Sequence, residues 1–416
     1  MLLDRSQARK IRATLRVLSR RFLALRPSSI RGGSLAGGHA ALALVHAALD
    51  AALPGEGHAA RVGRSLDRAI DALATTTMSP GLYGGFSGIA WVTELLQGEP
   101  GGPPEADPLA AIDDALGTYL SRSPWDEPYD LIAGLAGLGV YALERLPRPS
   151  AVTLVALIVD RLEESAQPRR PGVAWRSNPE WLLPELRRDP NPEWNLGVAH
   201  GVPAIVAFLG GVCAAGIEPR IERKAHALLE KAVVWLLAQE LPKGQAGCFA
   251  YAVGPGIPTV AARAAWCYGD PGLAATLLLG ARAVGESAWE RAAIRIALRA
   301  ARRPADTCGV VDAGLCHGAA GLAHIFHRLY RATEDERFAV AARSWFARTL
   351  AMWRPGRGFG GFAKYTSNAQ GAMGWEADSG FLTGTGGIAL ALAAALTSFE
   401  PEWDRALALS LRACPK

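Results

Sequence analysis

The chain has no run of about 18 uncharged apolar residues, so no segment of it reads as a membrane-spanning helix. It also lacks a signal-type apolar core near the N-terminus, where charges interrupt the sequence every few residues. Acids are nearly absent there: Arg5, Arg9, Lys10, Arg12, Arg16, Arg20, Arg21, Arg26 and Arg31 stand against Asp4 alone. Residues 1–30 therefore read as a basic helical segment whose charges form a solvated face, or else dock an acidic partner or an anionic membrane surface. With no export signal, the six cysteines do not read as a disulfide scaffold. A reduced, cytoplasmic setting is expected, in which thiols stay available as metal ligands. Runs of β-branched residues are few, which disfavours sheets. No kinase-type Gly-rich loop or phosphate-binding P-loop occurs, and a net charge of +5 on so long a chain is mild, so no nucleic-acid partner is expected.

Half of the residues are hydrophobic, enough for a sizeable core, and the emphasis on Ala and Leu favours helices. The 46 Gly and 27 Pro must then punctuate helices, because both residues damage helix interiors. A phrase of the form Gly-x-x-(Gly/Ala), followed by an apolar, Ala-rich stretch, begins at Gly37, Gly85, Gly134, Gly201, Gly269, Gly318 and Gly384. Three of the steps are about 48 residues, the length of two helices and two turns, and three are about 67. Between phrases lie amphipathic stretches such as IERKAHALLEKAVVWLLAQEL. Each unit reads as an outer amphipathic helix, a Gly turn, and an inner helix that is apolar nearly all round. Seven such pairs predict an all-α fold closed into an α/α toroid over residues 31–416, with an open helical array as the alternative. The longer steps must hold extra material. The clearest case is the Pro-, Trp- and Arg-rich stretch at about 166–194, which reads as an irregular excursion.

Three of the Gly loops carry unusual chemistry. One contains Arg263, Trp266, Cys267 and Tyr268, the next Cys316 and His317, and an earlier one Asn195 and His200. A lone Cys is usually a small buried hydrophobe and a lone His a satisfied core residue, but these occupy matching loops of equivalent repeats. Two thiolates and an imidazole suit Zn²⁺, and three protein ligands leave a fourth tetrahedral position open, as in catalytic sites. Cys213, Cys248, Cys308 and Cys414 read as non-ligands, and His324 and His327 as packing or surface residues.

The segments NLGVAHG, WCYGDPG, GLCHGAAGL and FLTGTGG, with DLIAGLAGLGVYAL at Asp130–Leu143, resemble the motif set of the lanthionine synthetase C-like family. The similarity runs in the family's order from about residue 34 to residue 395. It implies a toroid of seven outer and seven inner helices, zinc on Cys267, Cys316 and His317, acid/base roles for His200 and Asp130, and supporting roles for Arg263 and Tyr268. The implied reaction is thioether ring closure: a peptide cysteine adds to a dehydroalanine or dehydrobutyrine of the same peptide. Its substrate would be a dehydrated precursor peptide, and dehydration would fall to a separate dehydratase, since seven repeats leave no room for that domain. Rival readings are addition of glutathione to dehydrated residues and a non-catalytic peptide-binding scaffold.

Overall fold

The computed structural model describes residues 2–97, 107–181, 193–368 and 370–410. Its helices alternate in character along the chain. Helix α1 (Arg5–Leu23) precedes α2 (His39–Ala52), α3 (Ala59–Thr75) precedes α4 (Phe86–Gln97), and α5 (Ala110–Leu120) precedes α6 (Leu135–Glu144). The series continues with α7 (Pro149–Ser165) and α8 (Val202–Ala214), α9 (Pro219–Leu237) and α10 (Asp270–Val284). It ends with α11 (Ser287–Arg302) and α12 (Ala319–Thr333), then α13 (Glu336–Ala351) and α14 (Thr385–Leu396).

Every even-numbered helix starts at one of the seven glycine phrases, and these are the helices buried nearly all round. In α8 every residue from Val202 to Val212 is buried, and in α14 every residue from Thr385 to Ala394. Odd-numbered helices bury one stripe; α3 buries only Ser65, Leu66 and Ala69 and leaves its charges outside. One of the phrase glycines needs a left-handed backbone: Gly269, with φ of 104°, turns the chain sharply from Tyr268 into α10.

The chain divides into two compact units. One comprises Met1–Thr77, Arg263–Trp266 and Ala301–Pro401. In it α14 packs against α2 and α12, while α3 lies on α2, α13 on α12, and α1 on α14 and α13. Helix α1 buries Ile11, Leu15, Leu18 and Phe22 here and exposes Arg5, Arg9, Lys10, Arg12, Arg16, Arg20 and Arg21. The other unit comprises Met78–Ala262, Cys267–Ala300 and Glu402–Lys416. There α4, α6, α8 and α10 pack in series, and α5, α7 and α9 form a second layer on α4, α6 and α8. Its core holds a fully buried Arg145, 2.8 Å from both Glu94 and Asp113 and also paired with Asp107, because a buried cation must be matched by charge.

The three longer steps hold short antiparallel pairs. Strand β1 (Gln167–Pro168) pairs with β2 (Val173–Ala174), and β3 (Trp194–Asn195) with β4 (Ala252–Val253). Strand β5 (Lys364–Ser367) pairs with β6 (Met373–Glu376) in the last of these steps. Of the expected excursion, residues 182–192 lie outside the described residues, as does Cys414. Among the described residues no helix is long and apolar enough to cross a membrane.

Candidate metal and acid–base site

The loops that lead into the even-numbered helices are shaped by short polar side chains. The Oδ1 atom of Asn195 accepts the Gly197 N–H at 2.8 Å, that of Asp312 the Gly314 N–H at 3.0 Å, and that of Asp378 the Gly380 N–H at 2.7 Å. Each residue thus closes a local turn at the same offset before a phrase glycine: Gly201, Gly318 or Gly384. These three turns were not foreseen from the sequence, although their recurring offset is a visible signal there.

Asp130 is built differently. Its Oδ1 accepts the amides of Ala133 (2.8 Å) and Gly134 (3.1 Å), which frees Oδ2 to accept from Nδ1 of His200 at 2.5 Å. An ionised carboxylate can only accept, so the shared proton belongs on Nδ1, and Nε2 is the nitrogen left to act on anything else. Burial pulls the imidazole's pKa down, but the hydrogen bond and charge of Asp130 outweigh it, with smaller help from Cys267 and Glu193. The net displacement is upward, toward a protonated ring near neutrality. The side chain of His200 remains about one-third exposed, so its proton is accessible.

The His200 loop is fastened to the residues beside it in its unit. Ala199 N–H donates to the Cys267 carbonyl at 3.4 Å, and Asn195 Nδ2 donates to the Tyr268 hydroxyl at 3.2 Å. The approach is close enough that a Cβ on Gly197 would sit 2.3 Å from the Cys267 oxygen. Tyr268 therefore acts as packing and anchorage, its ring edge-on to Tyr251.

Cys316 is set by two backbone bonds: its N–H donates to Leu382 at 2.8 Å and its carbonyl accepts from Trp266 at 3.2 Å. Cys267 is the next residue after Trp266, so this second bond fixes the chain one residue before the other thiol. The ligand atoms of Cys267, Cys316 and His317 all lie within 4.8 Å of one another, the one such group of metal-binding side chains among the described residues. Two ligands on a tetrahedral zinc lie roughly 3.5–3.8 Å apart, so the donor set fits zinc with small adjustments. Cys316 and His317 are partly exposed, which leaves room for a further ligand to arrive from solvent.

The remaining sequence candidates separate cleanly. Burial pushes the Cys248 thiol up to about 12, the Cys213 thiol up to about 11, and the Cys308 thiol upward as well, so all three stay protonated. His324 and His327 are buried on α12, with His327 edge-on to Phe346. Arg263 is exposed and makes no ion pair among the described residues.

A family model described as "Lanthionine synthetase C-like protein" matches residues 29–408. The structure titled "Nisin cyclase" is similar over 98% of this chain and 98% of that one, with a TM-score of 0.74 and 19% identity. That likeness shows the fold: the all-α, α/α toroid class expected from the repeats. A structure of cellobiose 2-epimerase from Bacillus thermoamylovorans B4167 covers 88% of this chain and 87% of its own at a TM-score of 0.47 and 11% identity. No curated protein sequence matches the chain.

Proposed function

The chain belongs to the lanthionine synthetase C-like family, and from that premise we propose that it is a zinc-dependent lanthipeptide cyclase acting on a dehydrated precursor peptide. The observation that carries this reading is the gathering of Cys267, Cys316 and His317 within 4.8 Å. Held by those three residues, zinc would supply one thing: acidification of a substrate thiol that otherwise titrates near 8.5 (about 8.5 in free cysteine), so that it attacks as thiolate. Cys267 and Cys316 contribute two negative charges, which leave a further sulfur electron-rich and nucleophilic.

In the reaction the peptide cysteine sulfur bonds to Cβ of a dehydroalanine or dehydrobutyrine, the C=C π electrons move toward Cα and its carbonyl, and Cα then takes a proton. His200 is the donor in this account. Both oxygens of Asp130 are already engaged, Oδ1 by two amides and Oδ2 by His200, so Asp130 holds the ring and keeps it protonated while Nε2 delivers. Arg263, an exposed cation four residues before Cys267, is assigned the balancing of developing enolate charge. Tyr268 keeps the His200 loop in place through Asn195. The precursor would arrive dehydrated by a separate enzyme.

The test is mass spectrometry after thiol blocking. A dehydrated, cysteine-bearing peptide should lose maleimide-reactive thiols at constant mass when incubated with zinc-loaded protein. A gain of one glutathione with peptide thiols intact would identify an intermolecular thiol addition instead. Thiols unchanged in both arms would contradict the proposal.

A further inference from the structure

The β5–β6 hairpin presents an apolar face that the residues so far discussed do not use. Register places Tyr365 opposite Trp375 and Ser367 opposite Met373, so these four share one face, while Lys364 pairs with Glu376 on the other. Met373 is 55% exposed and Trp375 47% exposed, high values for side chains of this kind. Trp375 is nevertheless held in one orientation: the Arg357 guanidinium lies 3.9 Å from its ring centroid, and the Tyr365 ring is 5.0 Å away. An unpaired strand edge is a template on which a further chain can pair.

The open end of the hairpin is tied, through Lys364 and Tyr365 of β5, to the loops that shape the Cys316–His317 segment. Tyr365 N–H donates to Asp312 Oδ2 at 3.0 Å, and the other oxygen of that carboxylate closes the turn at Gly314. Lys364 lies 3.6 Å from Asp378, whose Oδ2 accepts the Thr383 hydroxyl at 2.8 Å; Leu382, just before, accepts the Cys316 N–H. Because Tyr365 turns its N–H outward to Asp312, its partner Trp375 belongs to a pair that does not exchange ladder bonds. The N–H and C=O of Trp375, and by the same alternation those of Met373, face away from β5. No third strand lies beside them among the described residues.

We propose that β6 is the docking strand for the substrate peptide, which adds to its free edge as a third strand and lays a flat dehydro side chain on the Trp375 indole. The inference rests on the cyclase reading, and the chemistry fits it. A dehydrated residue has an uncharged, planar Cα=Cβ unit conjugated to its carbonyl, which suits stacking on an indole. Main-chain bonds to an open edge accept many sequences, leaving the side-chain platform to select where the peptide sits. The tether through Asp312 sets that peptide beside the loop bearing Cys316 and His317.

The test uses the full-length, zinc-loaded protein and a labelled synthetic peptide with one dehydroalanine and Ser in place of Cys. This probe can neither ligate the metal nor react, so its binding is read independently of cyclisation. By fluorescence anisotropy, Trp375→Ser should weaken binding roughly tenfold or more, with zinc content unchanged, while Trp375→Phe stays within about threefold of wild type. Unchanged affinity in Trp375→Ser, or no binding by the wild type, overturns the proposal. Should Trp375→Ser lower the melting temperature markedly, oxidative footprinting of the wild type decides. Protection of Trp375 by the peptide sustains the assignment, and no protection overturns it. Failure of the cyclase reading would look different: a cysteine-bearing peptide would keep its thiols whether or not the probe binds.

Discussion

Replacing Asp130 with Asn removes the charge that faces His200 and keeps the shape of the side chain. In the native loop burial lowers the imidazole pKa and Asp130 raises it more, through a 2.5 Å hydrogen bond and its charge. Take the charge away and the burial penalty dominates, so the pKa must fall. We expect the ring of the variant to give up its proton at lower pH than in wild type. The acid form of His200 donates in the proposed reaction, so activity is lost as pH rises through its pKa, and the alkaline limb of the Asp130→Asn profile should lie at lower pH than in wild type. The assay is the rate of thiol loss against pH with both proteins zinc-loaded, so that the metal's charge affects both alike. NMR titration of labelled His200 provides the same comparison without turnover. An alkaline limb that stays in place, or moves upward, would refute the assignment of His200 as a donor tuned by Asp130.

Gly197→Ala should force the His200 loop away from Cys267, because the new Cβ would lie 2.3 Å from the Cys267 oxygen. We expect a cost of about 1–3 kcal/mol and faster zinc loss to a chelator, read by calorimetry and metal competition; unchanged values would show the loops to be independent. In the first unit, His46 and His58 face each other Nδ1 to Nδ1 at 2.8 Å, and His58 Nε2 reaches Ser19 Oγ at 2.9 Å. Burial, then the neighbouring His58, Arg61 and Arg64, lowers His46 to about 3. Because the unfolded ring takes a proton near pH 6.5 and the folded one does not, stability is full above that pH and declines below it. His46 alone should contribute a loss of about 2 kcal/mol at pH 5. His46→Gln should flatten the melting temperature between pH 7 and 5 relative to wild type, and parallel slopes would contradict this.

Most of the helical plan was legible because glycine is needed where it recurs. Each of the seven phrases marks the start of a helix buried nearly all round, and the charged stretches between them form the one-sided helices. The gathering of Cys267 with Cys316 and His317 was legible for a related reason: the two cysteines occupy matching loops, and a single backbone bond from Trp266 to Cys316 holds the chain at that point. What stayed hidden depends on pairings that periodicity does not encode. The His46–His58 contact joins a helix interior to the residue before the next helix, and the charges around Arg145 come from separate segments. The β5–β6 hairpin was foreseen only as extra length. Its two strands are four residues each, too short for alternation to stand out beside the helical signal.

Metal content and turnover, measured on the same protein, decide whether Cys267, Cys316 and His317 hold a catalytic zinc. Elemental analysis of the purified wild type should give about one zinc per chain, as a single open tetrahedral site requires. Cys316→Ala should lose most of that zinc and stop forming thioethers from a dehydrated peptide. Full zinc occupancy with normal ring closure in Cys316→Ala would contradict the account.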